Sequence, residues 1–165
     1  MKKQFEALIN TPFGAVLIAK HDKQLVIDFL LESPSQENCP SKNPVIQQVY
    51  VQIMQYLQQP NTPFNLPLTM QGTIFQRRVW QAIVAIPLGQ TRTYGQIARQ
   101  LGSGARAVAN ACGANSTPLL IPCHRVVAQN GIGGFMQGKP KGLLIKQWLL
   151  AHEGVPEYKQ SYEYE

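Results

Sequence analysis

Acidic side chains are scarce and unevenly placed. Among 165 residues there are nine Asp and Glu against fifteen Lys and Arg, and residues 38–152 contain no carboxylate at all. Cysteine is rarer, with three copies (Cys39, Cys112, Cys123), too few and too oddly numbered for a secreted disulfide framework. No apolar run approaches the roughly 18 residues a membrane-spanning helix needs, and Met1-Lys2-Lys3 leads into no apolar signal core. Charged residues make up only 15% of the chain and hydrophobic ones 44%, which excludes intrinsic disorder. The expectation is a soluble, cytoplasmic protein without a membrane association, folded as one compact domain or two small ones.

What is present is basic. The net charge of +6 lies wholly in the second part of the chain, where six Arg and four Lys face four Glu; the first 70 residues balance five Lys against five acids. All six arginines (Arg77, Arg78, Arg92, Arg99, Arg106, Arg125) fall inside the acid-free stretch. A solvated face normally mixes signs, so a surface cleared of acids while presenting arginines suits a polyanion, with nucleic acid the first candidate.

The pattern predicts an α+β fold: a small N-terminal sheet-and-helix domain over residues 1–67, then a mostly helical domain over 68–165 that contains a helix-turn-helix. Gln4–Ile9, Gly14–Ala19 and Leu25–Leu31 read as short strands separated by Asn10-Thr11-Pro12 and His21-Asp22-Lys23. Val45, Val49, Ile53 and Leu57 recur every four residues after Pro44, predicting a helix that ends before Pro60. Two prolines in Asn61–Pro67 mark the hinge. Thr73 reads as the cap of a helix carrying Val79, Trp80 and Ile83. Thr93-Tyr94-Gly95-Gln96 fits a capping box that opens a helix to about Leu101. After Gly102-Ser103-Gly104, an alanine-rich helix is expected over Ala105–Asn115. Its Ala105, Ala107 and Ala109 surround a lone Arg106, so the helix can approach a groove closely while one long cation reaches in. A last helix over Pro140–His152 should turn Leu144, Trp148 and Ala151 inward and end at Gly154.

The chemistry concentrates in Leu119–Val127, where Cys123, His124 and Arg125 stand between Pro122 and two valines. A single buried cysteine is usually an inert small hydrophobe, and Cys39 and Cys112 are assigned that role. Around Cys123, an adjacent imidazole and guanidinium favour thiolate, the nucleophilic form. A metal site lacks any paired CxxC or HxxxH spacing, so none is expected. A cysteine hydrolase would use His124 as base and Glu153, the first acid after the gap, to orient it. Composition does not choose between hydrolase and transferase.

These residues also carry a resemblance. Ile121-Pro122-Cys123-His124-Arg125-Val126 is similar to the active-site signature of the O6-alkylguanine-DNA alkyltransferases, the methylated-DNA–protein-cysteine methyltransferases. Gly72–Gln76, Val79-Trp80, Ile86–Thr91, Thr93–Gly95, Ala105–Val108 and Trp148–Gly154 resemble the same family in the same order. Thr11–Gly14 looks like a strand opening in its smaller, ribonuclease H-like domain.

The resemblance implies a suicidal DNA repair protein. Cys123 would accept the alkyl group from O6-alkylguanine, and also from O4-alkylthymine, and be consumed. His124 would be the base acting through a water, Glu153 would orient it, and Asn115 would brace the turn before the active-site strand. Tyr94 would help rotate the nucleotide and assist the leaving guanine. Arg106 would fill the vacated stack, with Ala105, Ala107, Ala109, Thr93 and Arg125 on the face that meets the minor groove of double-stranded DNA. Phe135, Met136 and Val126 would line the base pocket. No cofactor and no metal are implied, and a monomer is expected. The chain departs from the family in its longer, more basic Phe135–Gly142 segment and in Gln147, where an acid is common. A non-catalytic sensor of the alkyltransferase-like kind would carry another residue at position 123.

Overall fold

Three short apolar runs in the first thirty positions produce an antiparallel meander. The computed structural model describes residues 5–66, 69–135 and 142–158, and the chain divides into two compact units, Met1–Thr69 and Met70–Glu165. In the first unit, strands β1 (Ala7–Thr11), β2 (Gly14–His21) and β3 (Gln24–Leu30) pair in sequence order. The register sets Ile9 against Val16 and Ile18 against Ile27. Asp22 and Lys23, at φ 51° and 67°, form the two-residue link between β2 and β3. That left-handed pair matches the twist of the strands it joins.

Helix α1 (Pro44–Gln58) begins where the Asn43 side chain accepts from the backbone N–H groups of Val45 and Ile46. Its buried row is Ile46, Val49, Ile53 and Tyr56. The expected four-residue row is therefore only half right: Val49 and Ile53 face inward, but Val45 is 50% exposed. Each four-residue step advances about 40° around a helix, so the ends of a strict i+4 row leave the buried face.

The second unit is helical. Helix α2 (Ile74–Val84) starts at a full capping box between Thr73 and Gln76 and buries Val79, Trp80 and Ile83. Gly72 lies so close to the Trp80 ring that a Cβ there would sit 2.7 Å from it. The two-residue strand β4 (Arg92–Thr93) pairs in parallel with β5 (Val126–Val127). Helix α3 (Tyr94–Leu101) opens on the expected Thr93/Gln96 capping box and closes at left-handed Gly102. Helix α4 (Ala105–Gly113) follows after a short turn, giving the expected helix-turn-helix. It ends two residues earlier than expected, where the Ala114 N–H bonds back to the Asn110 and Ala111 carbonyls. The Trp80 indole N–H donates to the Ala111 carbonyl at 2.9 Å, fastening α2 to α4.

Helix α5 (Gly142–His152) ends in a Schellman arrangement: Val155 N–H bonds the Leu150 carbonyl, Gly154 N–H bonds that of Ala151, and Gly154 has φ 86°. Its register corrects the expected one. Ala151 is buried, but Leu144 is 51% exposed, and Ile145, Lys146, Leu149 and Leu150 face the core. The expected stripe kept the lysine outside; the fold turns it inward because two backbone carbonyls receive its ammonium. Pro140, the expected helix start, lies outside the described residues.

Candidate active site

Cys123, His124 and Arg125 form a single 3-10 turn that leads into the two-residue β5, where the resemblance implies an active-site strand. Proline 122 has no N–H to give a ladder, and the Cys123 N–H bonds the Ile121 carbonyl at 2.7 Å. This turn buries two successive side chains in the core: Cys123 is 7% exposed and His124 1%.

Asn115 holds the turn from the far side. Its Nδ2 donates to the Ile121 carbonyl at 2.9 Å and approaches Cys123 Sγ at 3.2 Å, while its Oδ1 accepts from the Thr117 N–H. One amide thus fixes the turn after α4, the chain before the cysteine and the sulfur itself. Leu119, between them, is held at φ 80°, a conformation a leucine adopts only under such constraint.

Glu153, at the C-terminal end of α5, anchors the other two residues of the turn. His124 Nε2 lies 2.7 Å from Glu153 Oε2, and since a carboxylate only accepts, the imidazole proton sits on Nε2. Arg125 grips the same carboxylate through Nε at 2.8 Å and Nη2 at 3.2 Å, and donates from Nη1 to the Ile86 carbonyl. Burial pushes the Glu153 carboxyl up, but His124 and Arg125 together hold it well below the usual carboxylate range. His124 Nδ1 is buried and has no hydrogen-bond partner among the described residues.

Two sequence expectations are corrected here. Arg125 was expected on the DNA-facing surface, but its guanidinium is committed to Glu153 and Ile86 and its side chain is only 14% exposed. Nor does that guanidinium favour a Cys123 thiolate at rest. The neighbouring Cys112 side chain and burial together push the Cys123 thiol well above its ordinary value. Cys112, assigned a purely structural role from the sequence, is a direct neighbour of the acceptor; its backbone carbonyl also lies 3.9 Å from Cys123 Sγ.

Lys146 is the residue the sequence reading missed. It is fully buried, with Nζ donating to the Val126 carbonyl at 2.7 Å and the Gly134 carbonyl at 2.9 Å, and lying 5.9 Å from the centre of the Tyr94 ring. Burial lowers it to about 8, partly opposed by the neighbouring Cys112 and Cys123 sulfurs. The signal was a single cation in the otherwise apolar face of α5.

Tyr94, at the start of α3, is half-buried; its hydroxyl accepts from the Gly134 N–H at 3.3 Å. Burial raises its phenol above the ordinary value. Val126 is buried beside the turn and Phe135 is half-buried. Met136 lies outside the described residues. On α4, Arg106, Ala105 and Ala109 are exposed, whereas Ala107 is half-buried. The Thr93 hydroxyl caps α3 by accepting from the Gln96 N–H. Among the described residues, no three His, Cys, Asp or Glu side chains converge as a metal would require, and no helix is long and apolar enough to cross a membrane.

Comparison with known proteins places this geometry. Residues 5–70 match the ribonuclease-like domain of 6-O-methylguanine DNA methyltransferase, and residues 74–155 match its DNA-binding domain. A probable methylated-DNA–protein-cysteine methyltransferase from Acanthamoeba polyphaga mimivirus is 42% identical, over 88% of this chain and 94% of its own length. The chain belongs to the 6-O-methylguanine DNA methyltransferase family. With the Escherichia coli bifunctional transcriptional activator/DNA repair enzyme Ada it shares 38% identity over 87% of this chain, but that match spans 40% of Ada. The Mycobacterium tuberculosis O6-methylguanine methyltransferase structure superposes with a TM-score of 0.71 at 31% identity, covering 91% of this chain and 93% of that one. The same mycobacterial protein in complex with DNA gives 0.70 at 34% identity, covering 88% and 90%. The 74–155 segment holds the whole Cys112–Asn115–Cys123–His124–Lys146–Glu153 cluster and the helix-turn-helix.

Proposed function

We infer that this protein repairs O6-alkylguanine, and O4-alkylthymine, in double-stranded DNA by moving the alkyl group irreversibly onto its own Cys123. The observation that carries the reading is the buried His124–Glu153 pair at 2.7 Å in the same turn as a buried cysteine. Glu153 fixes the imidazole with its proton on Nε2 and leaves Nδ1 free to accept. A water between Nδ1 and the Cys123 thiol would carry the sulfur's proton to the imidazole. Arg125 and Asn115 are positioning residues, one for Glu153 and one for the sulfur. Lys146 supplies the positive charge that favours the thiolate once it forms.

The thiolate attacks the alkyl carbon in line. A carbon–sulfur bond forms as the carbon–O6 bond breaks, and the electron pair leaves on guanine, which takes up a proton with the Tyr94 hydroxyl as donor. The thioether offers water no leaving group, so each chain acts once. Nothing in this displacement calls for a cofactor or metal.

A base inside a duplex cannot reach a buried sulfur, so the damaged nucleotide must rotate out, at a cost of a few kcal/mol. Arg106, exposed near the start of a helix lined with Ala105, Ala107 and Ala109, is suited to enter the minor groove and occupy the vacated stack. The N-terminus of α3 at Thr93 faces the same partner. Phe135 and Val126 serve as pocket walls in this reading. The protein acts as a cytoplasmic monomer, with DNA its partner.

The test is stoichiometry. With excess duplex containing O6-methylguanine, repaired guanine should plateau at about one per chain, as single-use nucleophilic chemistry requires. Continued turnover would sink the reading and favour a hydrolase.

A further inference from the structure

The transfer mechanism does not use Cys112, which the sequence marks as packing. Yet it stands in the last turn of α4, half-buried, with its backbone carbonyl 3.9 Å from the Sγ of the buried Cys123. We propose that Cys112 and Cys123 are a reversible redox pair, in which peroxide oxidises Cys112 and a disulfide then closes onto Cys123, masking the acceptor until a dithiol reopens it. The proposal goes beyond the repair reaction and rests on it only for the consequence, loss of transfer.

Three features carry the pairing. Cys112 already packs against the Cys123 sulfur, its backbone carbonyl 3.9 Å from Sγ, so the two residues are neighbours without any rearrangement of the fold. Cys112 precedes the last residue of α4, Gly113, where a helix end shifts easily. The Lys146 ammonium acts on both sulfurs and favours the thiolate form of either. Access then assigns the roles, because Cys112 meets solvent while Cys123 is 7% exposed. Consistent with this, the neighbouring Cys123 side chain holds the Cys112 thiol below its ordinary value. The remaining cysteine, Cys39, pairs its backbone with Leu8 in the N-terminal unit.

The chemistry balances with hydrogen peroxide as oxidant. The Cys112 thiolate attacks one peroxide oxygen; the O–O bond breaks, giving Cys112 sulfenic acid and hydroxide, which becomes water with the thiol's proton. Cys123 sulfur then attacks the sulfenic sulfur, the S–O bond breaks, and the departing hydroxide leaves as water with the Cys123 proton. Two electrons from the sulfur pair have reduced one peroxide to two waters, and a dithiol returns both electrons and protons. For a protein with one usable nucleophile the pair has a clear effect. Direct oxidation of Cys123 to sulfinic or sulfonic acid is irreversible, whereas a disulfide is not.

The experiment treats the full chain with a few equivalents of hydrogen peroxide and reads intact mass, a non-reducing peptide map and transfer from O6-methylguanine duplex, each before and after dithiothreitol. The untreated chain should transfer. The treated chain should weigh about 2 Da less, show a peptide linking Cys112 to Cys123, lose transfer in step with that linkage, and recover it with the dithiol. Cys112→Ala and Cys112→Ser, each compared with its own untreated sample, should instead gain oxygen on Cys123 and stay inactive after dithiothreitol. Cys39→Ala should behave as wild type. The proposal is overturned if wild type loses transfer without a Cys112–Cys123 peptide, or if both Cys112 variants recover as fully as wild type. An untreated chain that fails to transfer counts against Cys123 as acceptor, while the peptide map still decides the redox pair.

Discussion

Replacing Glu153 by glutamine removes one charge from the centre of the site while keeping its shape. The carboxylate is fully buried and accepts from His124 Nε2 at 2.7 Å and from two nitrogens of Arg125 at 2.8 and 3.2 Å. A glutamine has one acceptor oxygen, and its NH2 would face a donor. Arg125, 14% exposed, would then keep a charge without its counter-ion. Breaking a buried pair from one side costs about 3–5 kcal/mol, and the retained oxygen argues for the lower end, ~3 kcal/mol. The sign with pH follows from the depressed carboxyl: its stabilisation is present above its ordinary value of 4.5 and is lost as pH falls below that. Urea denaturation of wild type and Glu153→Gln from pH 7 to pH 3 should show the full gap at neutral pH, closing below about 4.5. Single-turnover transfer at pH 7 should slow by about 100-fold, the lower range for losing an oriented base, and alkylation of the Cys123 thiol should slow with it. A gap under ~0.5 kcal/mol at pH 7, typical of surface substitutions, would refute the buried-pair account. So would a gap that stays constant down to pH 3.

Two further substitutions separate roles that a single activity assay would merge. Arg106→Ala should impair repair in duplex DNA far more than transfer from free benzylated guanine, which needs no flipping; equal losses on both would make Arg106 a support for the fold. Lys146, at about 8 in the fold against 10.5 ordinarily, binds its proton less tightly folded than unfolded, so its burial costs about 3 kcal/mol at neutral pH. Wild type should therefore gain stability relative to Lys146→Met as pH rises from about 8 to 10.5, and a difference independent of pH would contradict this.

Much of this architecture was legible because local signals agreed with the final packing. Thr73 with Gln76 and Thr93 with Gln96 form the two capping boxes, one foreseen as a box and the other as a cap. Gly154 ends α5 as its position suggested. Asn115, His124 and Glu153 meet around the Cys123 turn although Glu153 lies 29 residues from His124; the end of the acid-free stretch singled out Glu153, and the family resemblance added Asn115. The failures around the site come from side-chain directions that only the three-dimensional packing sets. Lys146 points inward because the Val126 and Gly134 carbonyls need a donor, which turned the expected Leu144 face of α5 outward. Arg125 reads as one more DNA-facing cation until Glu153 and Ile86 are seen to claim it. Cys112 reads as filler because nothing in a linear sequence places the last turn of α4 against a turn eleven residues later.

The central claim is that one sulfur, Cys123, receives the alkyl group. Equimolar protein and O6-methylguanine duplex, followed by digestion and tandem mass spectrometry, tests it most directly. One methyl group per chain, about 14 Da, should sit on the Cys123 peptide, the thioether expected of a cysteine nucleophile, with Cys39 and Cys112 unmodified. Methyl found on Cys39 or Cys112, or repaired DNA with no methylated cysteine, would contradict the account.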